Sequence, residues 1–181
     1  TIVFDKTGTL TKGEPKVTDV VALSGTEAQV LTIAAAVEKP SEHPLAEAIV
    51  QAAKDKKLQI PKVTAFKAVP GKGVQARLSG KKILLGTRSL LKTVPKDVEQ
   101  KLQELETQGK TAVLLSSGGK LKGIVAVADT LKEGSADAVS QLEALGKTVV
   151  MLTGDNERTA RAIAAQVGIK QVLAGVLPGD K

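Results

Sequence analysis

The alternation of helix and strand in the last third of the chain most constrains how it folds. Residues 133–145 have helical spacing, with Ala138, Leu142 and Leu145 expected to face inward. Thr148–Leu152 is an unbroken apolar run, residues 156–167 are helical again, and Gln171–Leu173 is another short strand. Strands separated by helices call for crossover connections, and crossovers build parallel sheets covered by helices. Ile2-Val3-Phe4, a short apolar run at the opposite end of the chain, fits the same sheet as a strand buried on both faces. A sheet assembled from both chain ends makes the residues between them an insertion.

The intervening residues are patterned differently. Val17–Val21 reads as a strand, and residues 26–38 carry apolar groups at helical spacing. A turn through Pro40–His43 leads to Pro44, placed as the first residue of a second helix whose Leu45, Ala48, Ile49 and Ala52 share a face. Val63–Phe66, Gly73–Leu78 and Lys82–Leu85 are short strands parted by Pro-Gly and Ser-Gly turns, an antiparallel meander. A helix near 96–107 aligns Val98, Leu102 and Leu105, and Thr111–Ser116 pairs with Leu121–Val127 around Ser117-Gly118-Gly119. The fold class is therefore α/β: a Rossmann-like parallel domain of residues 1–12 and 124–181, with an α+β antiparallel-sheet domain of residues 13–123 inserted in it.

Composition narrows the function. With 181 residues there is enough chain for two small cores. No apolar run approaches the roughly 20 residues of a membrane span. Cysteine is absent, so disulfides and thiolate metal sites are excluded within these residues. The net charge of +7 favours anions in general, but Phe4 and Phe66 are the sole aromatic residues and the lysines are scattered among acids. Stacking platforms and a basic stripe are thus missing, and nucleic acid is not an expected partner. The chain starts directly at a strand, which reads as a piece of something longer.

Chemistry concentrates at three strand ends. Asp5 follows the first strand, with Thr7, Gly8 and Thr9 supplying hydroxyls and amides suited to phosphate oxygens. Thr153-Gly154-Asp155 follows a second strand at the start of a helix, and Asp129-Thr130-Leu131-Lys132 follows a third. All three are expected at one edge of one sheet. A plain helix cap is the alternative for Thr153–Asp155, and equally for Asp129 ahead of helix 133–145.

The run Asp5-Lys6-Thr7-Gly8-Thr9-Leu10-Thr11 resembles, residue for residue, the phosphorylation motif of P-type ATPases, members of the haloacid dehalogenase superfamily. The resemblance implies that Asp5 attacks the γ-phosphorus of ATP and becomes an aspartyl-phosphate. It also implies that Mg²⁺ is held by Asp5 and the Thr7 carbonyl, and that Thr7, Thr153 and Gly154 hold phosphate. Asp129 matches a position near the nucleotide, and Lys181 a phosphate-contacting lysine. Phosphatases of this superfamily carry an acid/base Asp two residues after the nucleophile. Thr7 cannot take a proton from water at neutral pH, so the phosphoenzyme is expected to persist.

Ser41-Glu42-His43-Pro44-Leu45, with Glu38 upstream and Gly71 and Gly73 in a turn, resembles the nucleotide signature of heavy-metal-transporting P-type ATPases. The resemblance implies that Glu38 contacts adenine, His43 orients the nucleotide, and the two glycines admit it closely. It further implies transmembrane and actuator domains in the same pump, a heavy-metal ion such as Cu⁺ as cargo, and a place on the cytoplasmic face of a membrane. There are two departures: Thr87 stands where Asn is common after Gly86, and no Gly-Asp-Gly-x-Asn-Asp segment is present. That segment supplies a further Mg²⁺ carboxylate, so phosphorylation by these residues alone is expected to be weak. A stand-alone phosphatase and a non-catalytic nucleotide-binding module are the alternative readings.

Overall fold

The computed structural model describes residues 1–91, 93–177 and 179. The chain divides into two compact units. Unit 1 comprises Thr1–Pro15, Gln103–Thr111 and the chain from Ala128 onward, and unit 2 comprises Lys16–Leu102 and Ala112–Val127.

In unit 1, β1 (Ile2–Asp5) lies parallel to β8 (Val149–Leu152), which lies parallel to β9 (Gln171–Leu173). Ile2 pairs with Val149 and Asp5 with Leu152, so these two strands end level with one another. The helices α4 (Ser135–Ala144) and α5 (Glu157–Gln166) supply Val139, Ala160, Ile163 and Ala164 to a core shared with Leu10, Val149 and Met151. Asn156 caps α5 by accepting from the Arg158 and Thr159 amides.

Two expectations for this unit are corrected. Val3 is 52% exposed, so β1 is buried on one face. Among the described residues β1 pairs on a single side, and alternation turns Phe4 into the core and Val3 away from it. In α4, Leu145 is 72% exposed and Ala138 is exposed, while Ser135 and Val139 are buried and Leu142 is half-buried. The cause is tertiary: Ser135 Oγ donates to the Leu10 carbonyl at 2.9 Å, which fixes the 135/139/142 face inward, and the helix ends before Leu145.

Unit 2 is built on a six-stranded sheet in the order β2-β7-β6-β5-β4-β3. These strands are β2 (Lys16–Ala22), β3 (Thr64–Val69), β4 (Gly73–Leu78), β5 (Lys81–Gly86), β6 (Thr111–Ser117) and β7 (Lys120–Ala128). The pairs β3/β4, β4/β5 and β5/β6 are antiparallel, and Gly118 and Gly119 take the positive φ values of a two-residue hairpin turn between β6 and β7. The helices α1 (Glu27–Glu38) and α2 (Pro44–Asp55) pack Leu31, Val37 and Ile49 against Val74, Ile83, Leu85 and Leu115. A reciprocal capping box of Thr26 and Gln29 opens α1. α3 (Lys96–Thr107), whose residues from Gln103 onward belong to unit 1, buries Val98, Leu102 and Leu105, as the spacing predicts.

The compact units do not follow the 1–12/124–181 and 13–123 division. Polar bonds from Glu106, Lys110 and Thr111 tie residues 103–111 into unit 1, and β7 carries unit 2 through to Val127.

Candidate phosphoryl and nucleotide sites

Asp5 ends β1, and Thr153 stands one residue beyond its partner Leu152 on β8. Two of the three predicted strand ends therefore meet at the carboxyl edge of one parallel sheet, the edge at which open α/β sheets bind ligands. The loop after Asp5 is held from within: the Thr11 amide and hydroxyl both donate to the Lys6 carbonyl, at 3.1 and 3.2 Å. Gly8 takes φ 77°, and Thr7, Gly8 and Thr9 stay exposed while Leu10 and Thr11 are buried.

Asp129 departs from the expected arrangement. It follows β7, a strand of the six-stranded sheet, so the three strand ends do not belong to one sheet. An apolar run such as Gly123–Ala128 fits either sheet, and its pairing is decided by distant residues. Nor does Asp129 cap α4, whose cap is Gly134. Its carboxylate instead accepts the amides of Gly13 at 3.0 Å and Glu14 at 3.1 Å. The segment after it also holds the loop that follows β1. Lys12 N–H donates to the Thr130 carbonyl, Lys132 N–H to the Leu10 carbonyl, and Lys132 Nζ to the Gly8 carbonyl at 2.5 Å.

Around Thr153 the geometry is tight. Thr153 is 2% exposed, and its hydroxyl donates to Asp155 Oδ2 and accepts the Asp155 amide, both at 3.1 Å. Lys6 Nζ lies 2.8 Å from Asp155 Oδ2, and Thr111 Oγ1 donates to Asp155 Oδ1 at 2.8 Å. Burial pushes the Asp155 carboxyl up, but the Lys6 charge and hydrogen bonds from Lys6, Thr111 and Thr153 outweigh it and hold the group below the usual carboxylate range. Asp155 thus joins the loop after β1 to the loop after β8.

The predicted nucleotide residues Glu38, His43, Gly71 and Gly73 all fall in unit 2. Glu38 ends α1 with 6% exposure, and its Oε2 has no hydrogen-bond partner among the described residues. Burial pushes its carboxyl up to about 7, and a hydrogen bond with Ser41 draws it back part of the way. A buried, unsatisfied oxygen is costly unless a ligand completes it. His43 caps α2 with Nδ1 accepting the Leu45 amide at 3.2 Å, so in the neutral ring Nε2 carries the proton. Gly71 takes φ 69° in the β3–β4 turn.

Gly73 has a reason within the fold to be glycine, whatever a nucleotide requires. A Cβ there would lie 2.2 Å from the Leu85 carbonyl oxygen and 2.5 Å from Gly86 Cα, so it is the backbone of β5 that comes close. Thr87 closes the same corner by donating its amide to the Lys72 carbonyl at 2.7 Å, and its hydroxyl bonds with Ser89 at 2.8 Å.

Comparison with known proteins settles the family. A model of the haloacid dehalogenase-like hydrolases matches residues 1–181. The chain belongs to the haloacid dehalogenase-like hydrolase family. It is 49% identical over 187 residues to the copper-exporting P-type ATPase of Bacillus subtilis (strain 168), an alignment covering 100% of this chain and 23% of that protein. Among solved structures, a zinc-transporting PIB-type ATPase in the E2·Pi state matches with TM-score 0.69 and 43% identity over 98% of this chain and 29% of that one. The catalytic domain of the CPx-ATPase CopB-B matches with TM-score 0.75 and 27% identity over 99% of this chain and 62% of that one. The chain spans about a quarter of the length of the curated relatives it matches.

For a hydrolase of this family the oxygen donors fit a hard divalent cation. The Asp5 carboxylate and the Thr7 carbonyl are of the type Mg²⁺ takes, and no group of three carboxylate or imidazole ligands occurs among the described residues. Magnesium commonly binds through one or two carboxylates and keeps several waters. Lys181, predicted to contact phosphate, lies outside the described residues. Lys6 and Thr111 were not singled out by sequence. The signal for Lys6 was its place inside the phosphorylation motif, whereas Thr111 lies 44 residues from Asp155 and carries no local mark.

Proposed function

We propose that this chain is the ATP-binding and phosphorylation part of a heavy-metal-exporting P-type ATPase. Unit 1 serves as the phosphorylation domain and unit 2 as the nucleotide-binding domain. The observation that carries the proposal is the meeting of Asp5 and Thr153 at the level carboxyl ends of β1 and β8, within the seven-residue motif and its partner loop. The names of the relatives support copper export by the whole protein. The motif resemblance adds membrane and actuator domains beyond these residues and a place for this part on the cytoplasmic face. Among the described residues no helix is long and apolar enough to cross a membrane.

In the proposed reaction an Asp5 carboxylate oxygen bonds to the γ-phosphorus of ATP as the bond to the β–γ bridging oxygen breaks, so that ADP leaves and an acyl phosphate remains. Mg²⁺, held by Asp5 and the Thr7 carbonyl, would supply charge neutralisation on the phosphoryl oxygens. Thr7 is an exposed residue whose hydroxyl would donate to phosphate. The Thr153 proton points at Asp155 and must turn to reach phosphate, while the Gly154 amide lies beside it. Lys132, already at the loop, adds positive charge. Glu38 would complete its free Oε2 against the exocyclic amine of adenine, with His43 offering Nε2–H and the Gly71 turn lying alongside. Asp129 acts here chiefly by fixing the exit of the phosphorylation loop. The absence of a base at Thr7 leaves the acyl phosphate to be hydrolysed under the control of another domain.

In the full-length parent, γ-labelled ATP should label the wild type and leave Asp5→Asn unlabelled. Equal labelling of the two would remove Asp5 from the reaction.

A further inference from the structure

The end of α3, the turn after it and the first residue of β6 send polar groups to the loop after β8 and the first turn of α5. Glu106 is fully buried and accepts from Asn156 Nδ2 at 3.1 Å and from an Arg158 guanidinium nitrogen at 2.6 Å. The Lys110 carbonyl accepts from Thr159 Oγ1 at 2.9 Å. The last contact in this series, Thr111 to Asp155, reaches the group that also binds Lys6 and Thr153.

The arrangement on Asp155 is asymmetric. Lys6 and Thr153 both address Oδ2, and Thr111 addresses Oδ1. The carboxylate is 11% exposed, so a lost donor is not readily replaced by water. Thr153 has one hydroxyl proton, and while that proton is on Asp155 it is not on a phosphate oxygen. Turning it to phosphate is easiest when Asp155 keeps donors on both oxygens. Thr111 secures Oδ1 independently of any phosphate. Without it, Asp155 faces one unsatisfied oxygen and competes harder for the Thr153 proton.

We propose that Thr111 is a positioning residue for phosphoryl transfer, holding Asp155 so that Thr153 is released to the transferring phosphate. The assignment rests on the reading of Asp5 and Thr153 given above. Thr111 belongs to unit 1, and its action falls on the transfer step rather than on capture of ATP by unit 2.

The test is rapid-quench phosphorylation of the full-length parent across a range of ATP concentrations. The proteins compared are wild type, Thr111→Val, Thr111→Ser and Thr107→Val, the last removing a hydroxyl that bonds to the Glu104 carbonyl within α3. Thr111→Val should lower the maximal rate of phosphoenzyme formation about tenfold, the loss of one hydrogen bond to a charged group, with half-saturating ATP changed less than about twofold. Thr111→Ser should recover most of the rate, and Thr107→Val should match wild type. An unchanged maximal rate in Thr111→Val, a change confined to half-saturation, or a Thr111→Ser variant as slow as Thr111→Val would overturn the proposal. If Thr111→Val loses cooperative melting, Thr111→Ala carries the same comparison, and failure of both to fold assigns Thr111 to the fold and overturns it too. Absence of label in wild type would instead overturn the reading of Asp5, and this assignment with it.

Discussion

Glu38 and Gly73 show how differently two residues of one predicted site are used. Glu38 is a buried acid whose carboxyl sits at about 7 rather than 4.5, so the folded unit keeps a proton that the unfolded chain releases. The sign follows from linkage: its contribution to stability is full below pH 4.5 and is lost as pH rises through about 7, a swing of order 3 kcal/mol. Glu38→Gln should therefore flatten the fall in unfolding free energy between about pH 5 and pH 8, measured by denaturant titration at both ends. An unaltered slope would place the pH dependence elsewhere. Gly73 is different because its space is filled by β5. Gly73→Ala forces two backbones apart and should cost roughly 2–4 kcal/mol in unit 2, seen as a lower melting temperature without ligand. A wild-type melting curve with weakened nucleotide binding would restore the nucleotide as the reason for this glycine. Sequence showed that both positions were special. It could not show what fills the space beside a glycine, because that depends on Leu85 and Gly86 of another strand.

At the scale of elements, the local patterns were largely legible. The spacing of apolar residues located α1, α2, α3 and α5, Pro44 marked the start of α2, and the glycine turns marked the hairpins. What was not legible depended on tertiary partners. The inward face of α4 is set by one bond from Ser135 to Leu10, which no periodicity within the helix reveals. The sheet to which β7 belongs is chosen by its neighbours β2 and β6, whereas local sequence alone places Asp129 at a third end of the parallel sheet. The consequence is measurable. Asp129→Ala should remove protection of the Gly13 and Glu14 amides in hydrogen exchange and cost about 1–2 kcal/mol, because their acceptors are lost. Unchanged protection at those amides would show that the carboxylate does not hold the loop.

At the scale of the whole molecule, the chain leaves unit 1 after Pro15, returns for residues 103–111, and returns finally at Ala128. The motif residues are divided accordingly, with Asp5, Asp129 and Thr153 in unit 1 and Glu38, His43, Gly71 and Gly73 in unit 2. That division predicts where ATP acts first. In an ATP titration followed by NMR, without Mg²⁺, shifts should concentrate at Glu38, His43 and Gly71–Gly73. A response confined to unit 1 would reverse the proposed roles of the two units. The central claim is narrower still and concerns one carboxylate. The full-length parent should be phosphorylated with ATP and Mg²⁺, reduced with borohydride, and mapped by peptide mass spectrometry. An acyl phosphate on Asp5 is reduced to homoserine, so position 5 should carry that mass change in an ATP-dependent manner. An unmodified Asp5 alongside a reduced acid elsewhere in the chain would contradict the account.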